Sequence, residues 1–169
     1  NYISIKPVDV VVFASNVAFD ATTFEIWAPL LNGARLVVFD KYVLLSPDRL
    51  AKTLVAHSVT VLHLTAGLFE QFCATSPSIF SGLKYLLFGG DKVNFAAIIN
   101  LFKYKQNLPE HIINCYGPTE NTTWTTTFEV TADVIQKYHI LPIGKPISNS
   151  FVFILDKNMN PVPAGVVGD

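Results

Sequence analysis

Charge is scarce in this chain of 169 residues: 15% are Asp, Glu, Lys or Arg, where a soluble domain carries about 25%. The formal net charge of −1 provides no basic face for nucleic acid and no attraction to an anionic membrane. No apolar run approaches the roughly 18 residues that a spanning helix needs. The first residues lack the charged-then-apolar order of a secretion leader. There are two cysteines, Cys73 and Cys115, and neither belongs to a CxxC pair. Disulfide chemistry is therefore limited to one bridge at most, and the expected setting is reducing and cytoplasmic. His57, His63, His111 and His139 lack HxxxH or Cys/His spacing, which argues against a structural metal site. Neither GxGxxG nor the phosphate-cradling GxxxxGK[ST] occurs.

Half of the residues are hydrophobic, a large apolar share for this length. It predicts apolar surface that further structure covers in the working protein. The β-branched run "VDVVVFASNV" predicts a buried strand. In "FDATTFEIWAPLLNGA", Phe24, Trp27, Leu30 and Leu31 fall at helical spacing, with Asp20 or Thr22 as candidate cap and Gly33 as terminator. "ARLVVFD" is a second strand. "SPDRLAKTLVAHS" is a helix capped by Ser46, with Pro47 at its first position and a Leu50–Leu54 stripe. The strands "VTVLHL", "KYLLFGG" and "HIINCYG" alternate with the helices "AGLFEQFCATSP" and "NFAAIINLFKYKQN".

Strands alternating with helices in this way predict parallel βαβ units in a doubly wound α/β sheet flanked by helices. After Glu120 the rhythm changes. "TTWTTTFEVTA" and "NSFVFILDKN" read as strands with no helix between them, so a β-rich C-terminal part is expected, with a boundary between residues 140 and 148.

In open α/β sheets, ligands gather at the C-terminal ends of the strands, here the loops "SNVAFD", "HLTAG", "FGGDK" and "CYGPTEN". Asp20 is either a helix cap or a carboxylate facing a cationic ligand group. Gly89-Gly90 is either a plain turn or a place where backbone approaches a flat ligand closely. In "YGPTE", Gly-Pro sets a tight turn. Tyr116 offers a ring face, Thr119 a hydroxyl for a phosphate oxygen and Glu120 a hard oxygen for Mg²⁺. That order suits a nucleoside triphosphate; the bland alternative is a surface turn with a solvated Glu.

"FDATTFEIWAPLLNGA" and "NCYGPTENTT" resemble the fourth and fifth core motifs of nonribosomal peptide synthetase adenylation domains, members of the AMP-forming ligase superfamily. "LKYLLFGGDKV" and "PIGKPISNSFVFILDKNMNPVPAGVVGD" extend the resemblance over nearly the whole chain. It implies an α/β subdomain over residues 1–143 and the start of a β-barrel subdomain over 144–169. Asp20 would pair with the substrate's α-ammonium group. Asn114 would hydrogen-bond adenine, Tyr116 would pack on its ring, Thr119 would contact the α-phosphate, and Glu120 would help to hold Mg²⁺, making Thr119 and Glu120 the catalytic pair. Gly89 and Gly90 would let backbone pass close to substrate and nucleotide. The substrate side chain would sit among Asp20, Ala21, Phe24, His63, Leu87, Gly89, Cys115, Thr123 and Trp124, which suits a neutral, largely apolar or aromatic amino acid.

The same resemblance implies a ligase that forms aminoacyl-AMP and pyrophosphate from an amino acid and ATP. It then passes the aminoacyl group to the phosphopantetheine thiol of a carrier protein, in a chain with condensation domains. Its Gly/Ser/Thr-rich phosphate loop, ribose-binding Asp and catalytic Lys have no counterpart in these residues, so the expectation is a fragment with negligible adenylation alone. Two rivals are an acyl-CoA synthetase of the same superfamily and a noncatalytic α/β module that binds or scaffolds.

Overall fold

The computed structural model describes residues 2–104 and 107–169. Five strands run parallel: β1 (Val10–Phe13), β2 (Arg35–Val38), β3 (Val61–Thr65), β4 (Tyr85–Gly89) and β5 (His111–Tyr116). Two more, β6 (Thr126–Glu129) and β7 (Lys145–Pro146), add antiparallel, giving the order β2-β1-β3-β4-β5-β6-β7. The chain leaves β1 outward to β2 and returns to the other side of β1 as β3, so the topological switch point lies between β1 and β3. Crevices for ligands open at such a point.

The strand side chains alternate between two cores, as a period of two requires. Val10, Val12, Leu62, Leu64, Leu86, Phe88 and Ile112 face one of them. There they meet α3 (Pro47–His57), α4 (Ala66–Thr75), α5 (Phe95–Lys103) and α6 (Ala132–Lys137). Phe69 of α4 stacks on Phe88 of β4 with ring centroids 3.9 Å apart. Val11, Val61, Tyr85, Leu87, Ile113 and Cys115 face the other core, where α1 (Ala21–Leu31) contributes Phe24.

Ser46 caps α3 through Arg49 N, with Pro47 at its first position, and Leu50 and Leu54 are buried as their spacing predicts. On α1 only Phe24 of the predicted stripe is buried; Trp27, Leu30 and Leu31 are 53%, 52% and 77% exposed. Neither predicted cap serves α1. The Asp20 side chain makes no bond to its own helix, and the Thr22 hydroxyl donates backwards to Phe19 O.

Two readings need correction, and one element has no counterpart in the sequence reading. A four-residue helix, α2 (Lys41–Leu44), precedes α3; it is too short to show a period. Helix α6 lies between β6 and β7, where no helix is predicted. "NSFVFILDKN" forms no strand: its backbone pairs at residues 154–156 alone, through an isolated bridge between Leu155 and Pro161 and bonds to Asn160, Val162 and Asp169, too few in a row to make a ladder. Lys105 and Gln106, inside the helix predicted after β4, lie outside the described residues.

The two cysteines belong to different cores on opposite faces of the sheet and are both free. Burial, with the Glu70 charge adding, pushes the Cys73 thiol up to about 12, and burial pushes Cys115 up as well. Neither is a thiolate at neutral pH.

Gly89 has a steric reason that the sequence does not reveal. A Cβ there would lie 2.0 Å from Cys115 O on the neighbouring strand. Gly89→Ala is therefore expected to destabilise the protein by about 3 kcal/mol, the upper part of the range for overpacking, read as a lower urea midpoint. Gly67, in α4 with nothing within 4 Å of its Cβ position, is the contrast: Gly67→Ala should be neutral or stabilising by about 0.5 kcal/mol.

Candidate active site

The loops after β1, β3, β4 and β5 surround a cavity of about 470 Å³ at the C-terminal edge of the sheet. Its lining includes Asn16, Asp20, Ala21, His63, Gly89, Gly90, Gly117, Thr123 and Trp124. A second cavity, of about 550 Å³, is lined by Asn114, Cys115, Tyr116, Gly117, Pro118 and Ile143. The two share Gly90, Asp91 and Gly117, so one crevice with two lobes runs along the ends of β3, β4 and β5.

The connection from β5 to β6, residues 117–125, contributes Gly117, Thr123 and Trp124 to the first lobe and Gly117 and Pro118 to the second. Gly117 lets it double back: a Cβ there would meet Thr123 O at 2.3 Å. Thr125 N donates to Tyr116 O at 2.8 Å to close the loop. Inside it Thr119–Asn121 forms a single 3₁₀ turn, and Thr122 and Thr123 take left-handed backbone with φ of 55° and 68°. Two consecutive β-branched residues in that region cost of order 1–3 kcal/mol each, which surrounding contacts must offset.

Asp20 supplies those contacts. Thr123 N donates to Asp20 Oδ2 at 3.0 Å, and the Thr123 hydroxyl donates to Asp20 O at 2.8 Å. The two motifs, 103 residues apart, are thus joined at one residue. Only Oδ2 is engaged among the described residues. Asp20 is half-buried and lines the first lobe, so Oδ1 remains free to accept from a cation.

Of the predicted side-chain pocket, Asp20, Ala21, His63, Gly89, Thr123 and Trp124 line the first lobe. Leu87 lies beneath it, fully buried beside His63 in the β3–β4 register. Phe24 and Cys115 pack in that same core. Phe24 opens instead onto a smaller cavity on the far side of Trp124, of about 180 Å³. Cys115 opens onto the second lobe.

Of the predicted nucleotide residues, Gly90, Asn114 and Tyr116 line the second lobe, and Gly90 and Gly89 the first. Asn114 Nδ2 donates to Pro142 O at 2.9 Å, which fixes the amide and leaves its carbonyl free. Tyr116 is 47% exposed, with its ring open to a stacking partner. Thr119 and Glu120 are exposed on the 3₁₀ turn.

No group of three or more His, Cys, Asp or Glu among the described residues could cage a metal. A single exposed carboxylate, Glu120, fits the way Mg²⁺ is held between one or two carboxylates and substrate phosphates. None of the described helices is long and apolar enough to cross a membrane.

Glu25 lies within "FDATTFEIWAPLLNGA" without a role assigned to it there, and its carboxylate is 1% exposed. Oε2 accepts from Ala14 N at 3.0 Å and Ser15 N at 2.9 Å, and Oε1 accepts from the Ser15 hydroxyl at 2.7 Å. His63 Nδ1 lies 3.3 Å from the same Oε1. The one signal that could have found it is a lone acid within the apolar run of α1.

The fold and crevice define a class: an α/β protein whose loops at the switch point form a two-lobed ligand cleft. The family model described as "AMP-binding enzyme" matches residues 1–169. Malpibaldin synthetase of Mortierella alpina is 46% identical over the whole chain, which spans 3% of that protein. Gramicidin S synthase 2 of Brevibacillus brevis is 38% identical, again over the whole chain, which spans 4% of it. Among solved structures, holo-PA1221, a nonribosomal peptide synthetase protein containing adenylation and PCP domains, superposes with a TM-score of 0.87. It is 32% identical, over 96% of this chain and 28% of that one. The chain belongs to the AMP-binding enzyme family.

Proposed function

We propose that the protein carrying this chain activates an amino acid as aminoacyl-AMP, as the adenylation domain of a nonribosomal peptide synthetase does. The observation that carries this reading is the half-satisfied Asp20 carboxylate in the same crevice as Tyr116, Gly117 and Pro118, the start of the turn that presents Thr119 and Glu120 beyond the lining. The substrate's α-ammonium group binds Asp20 Oδ1 in the first lobe, and the adenylate lies in the second. Asn114 accepts or donates at the adenine edge, Tyr116 covers its ring, and Thr119 donates to the α-phosphate. Glu120 would hold Mg²⁺, which would supply charge neutralisation at the phosphates.

The amino-acid carboxylate attacks the α-phosphorus, forming the mixed anhydride and releasing pyrophosphate. A phosphopantetheine thiol of a carrier protein then attacks the acyl carbon and releases AMP. The residues of this chain act mainly by positioning, which makes the attack effectively unimolecular. Residues 1–143 serve as the α/β subdomain, and 144–169 lead into a neighbouring β-barrel subdomain. Carrier, condensation and remaining adenylation parts are its partners, in a cytoplasmic assembly without nucleic acid.

The substrate is a neutral L-amino acid. The ammonium group takes up the charge of Asp20, and the one other Asp, Glu, Lys or Arg in the lining of the first lobe is Asp91, which stands where the two lobes meet. A screen of the proteinogenic amino acids by ATP–pyrophosphate exchange checks this. Neutral members should support exchange at least about tenfold faster than Asp, Glu, Lys or Arg. A preference for a charged member would contradict it.

A further inference from the structure

Two polar side-chain atoms among the described residues are buried and have no hydrogen-bond partner: His63 Nε2 and Trp124 Nε1. A buried orphan costs about 1–3 kcal/mol and is rare enough to call for an explanation. Here both belong to the first lobe's lining, and their rings meet edge to face with centroids 5.1 Å apart. Both residues are more than nine-tenths buried, at 7% and 6% exposure. Two orphans side by side in one cavity suit a single ligand group.

Their chemistry is complementary. An ionised carboxylate only accepts, so at the Glu25–His63 contact the proton belongs to Nδ1 of His63. In the neutral imidazole that leaves Nε2 as an acceptor. The indole Nε1–H of Trp124 only donates. Glu25 itself has no freedom to choose otherwise. Its Oε2 is held by the two backbone N–H groups of Ala14 and Ser15, and its Oε1 by the Ser15 hydroxyl. The end of β1, helix α1 and strand β3 therefore set the tautomer of a ring on the pocket floor.

We infer that Glu25 is a positioning residue for substrate selection. It fixes His63 so that His63 Nε2 and Trp124 Nε1–H together recognise a neutral amino-acid side chain bearing a group that both donates and accepts a hydrogen bond, a hydroxyl or a carboxamide. This rests on the amino-acid-activating function proposed above and narrows its substrate class. A site with orphaned polar atoms rejects an apolar isostere more strongly than an apolar pocket rejects a polar one.

The test is ATP–pyrophosphate exchange by the full-length protein with isosteric pairs: tyrosine and phenylalanine, threonine and valine, serine and alanine, asparagine and leucine, glutamine and methionine. The amino acid with the highest kcat/KM should be the polar member of its pair, by a factor of about 10 or more. His63→Phe, which keeps a ring of similar breadth without nitrogen, should bring that ratio to within about threefold of unity. Glu25→Gln should lower it also, and a thermal melt will show whether that variant stays folded; if it does not, His63→Phe decides alone. An apolar member used as well as its polar isostere by the wild type overturns the inference, as does an unchanged ratio in His63→Phe. Failure of every amino acid to support exchange overturns the amino-acid-activating function itself, and with it the inference.

Discussion

Asp20→Asn is expected to lower kcat/KM for the amino acid about 100-fold, a loss of about 2.7 kcal/mol, while the KM for ATP changes less than about threefold. Asparagine keeps a carbonyl oxygen that can accept from Thr123 N, so the strained loop of residues 117–125 retains its anchor. What is lost is the negative charge. A charge-assisted bond to an ammonium group in a partly desolvated site is worth about twice a neutral one, and the substrate's cation would be left without its counter-ion. Asp20→Ala removes charge and anchor together, so it should also affect the nucleotide lobe through Thr122 and Thr123. The two variants therefore separate recognition from loop support. Equal losses for amino acid and ATP in Asp20→Asn would favour an acyl-CoA synthetase, whose fatty or aryl acid brings no ammonium group to Asp20.

Glu120→Gln should lower the exchange rate about 100-fold at limiting Mg²⁺, within the range for losing one electrostatic contributor to a charged transition state. Part of the loss should return as Mg²⁺ is raised. Glu120 stands exposed on the 3₁₀ turn, away from both cores, so the substitution should not alter stability. Glutamine is close in shape and lacks the charge that a hard cation prefers. Amino-acid affinity, set in the other lobe, should stay within about twofold. A Mg²⁺ dependence identical to that of the wild type would remove Glu120 from metal binding.

Much of the architecture was legible because buried parallel strands are continuous apolar runs and their helices carry caps. The five parallel strands, the Ser46 cap and the Leu50–Leu54 stripe were all readable. What failed depended on partners that a local pattern does not contain. "SFVFIL" has strand composition, yet Phe151 and Phe153 are 84% and 67% exposed with no ladder neighbour. Trp27, Leu30 and Leu31 keep helical spacing, yet α1 has the sheet on one flank only.

The site was legible at the level of loops, since topology places the ends of β1, β3, β4 and β5 together. Register then decided which side chains share a face. His63 and Leu87 are cross-strand partners, as are Gly89 and Cys115. Asn114, one residue from Cys115, turns its amide the other way, to Pro142. Glu25 stayed hidden because its role lies in contacts with backbone groups that no local pattern reveals, whereas the tight turn at Gly117-Pro118 was readable from the residues themselves.

The central claim is that one crevice holds an amino acid by its ammonium group at Asp20 and an adenylate at the turn after β5. A crystal structure of the protein with a non-hydrolysable aminoacyl-adenylate tests it most directly. The prediction is an ammonium nitrogen within about 3 Å of Asp20 Oδ1, with the adenine between Gly90, Asn114 and Tyr116. An adenylate bound with its amine away from Asp20, or with its base outside the second lobe, would contradict it.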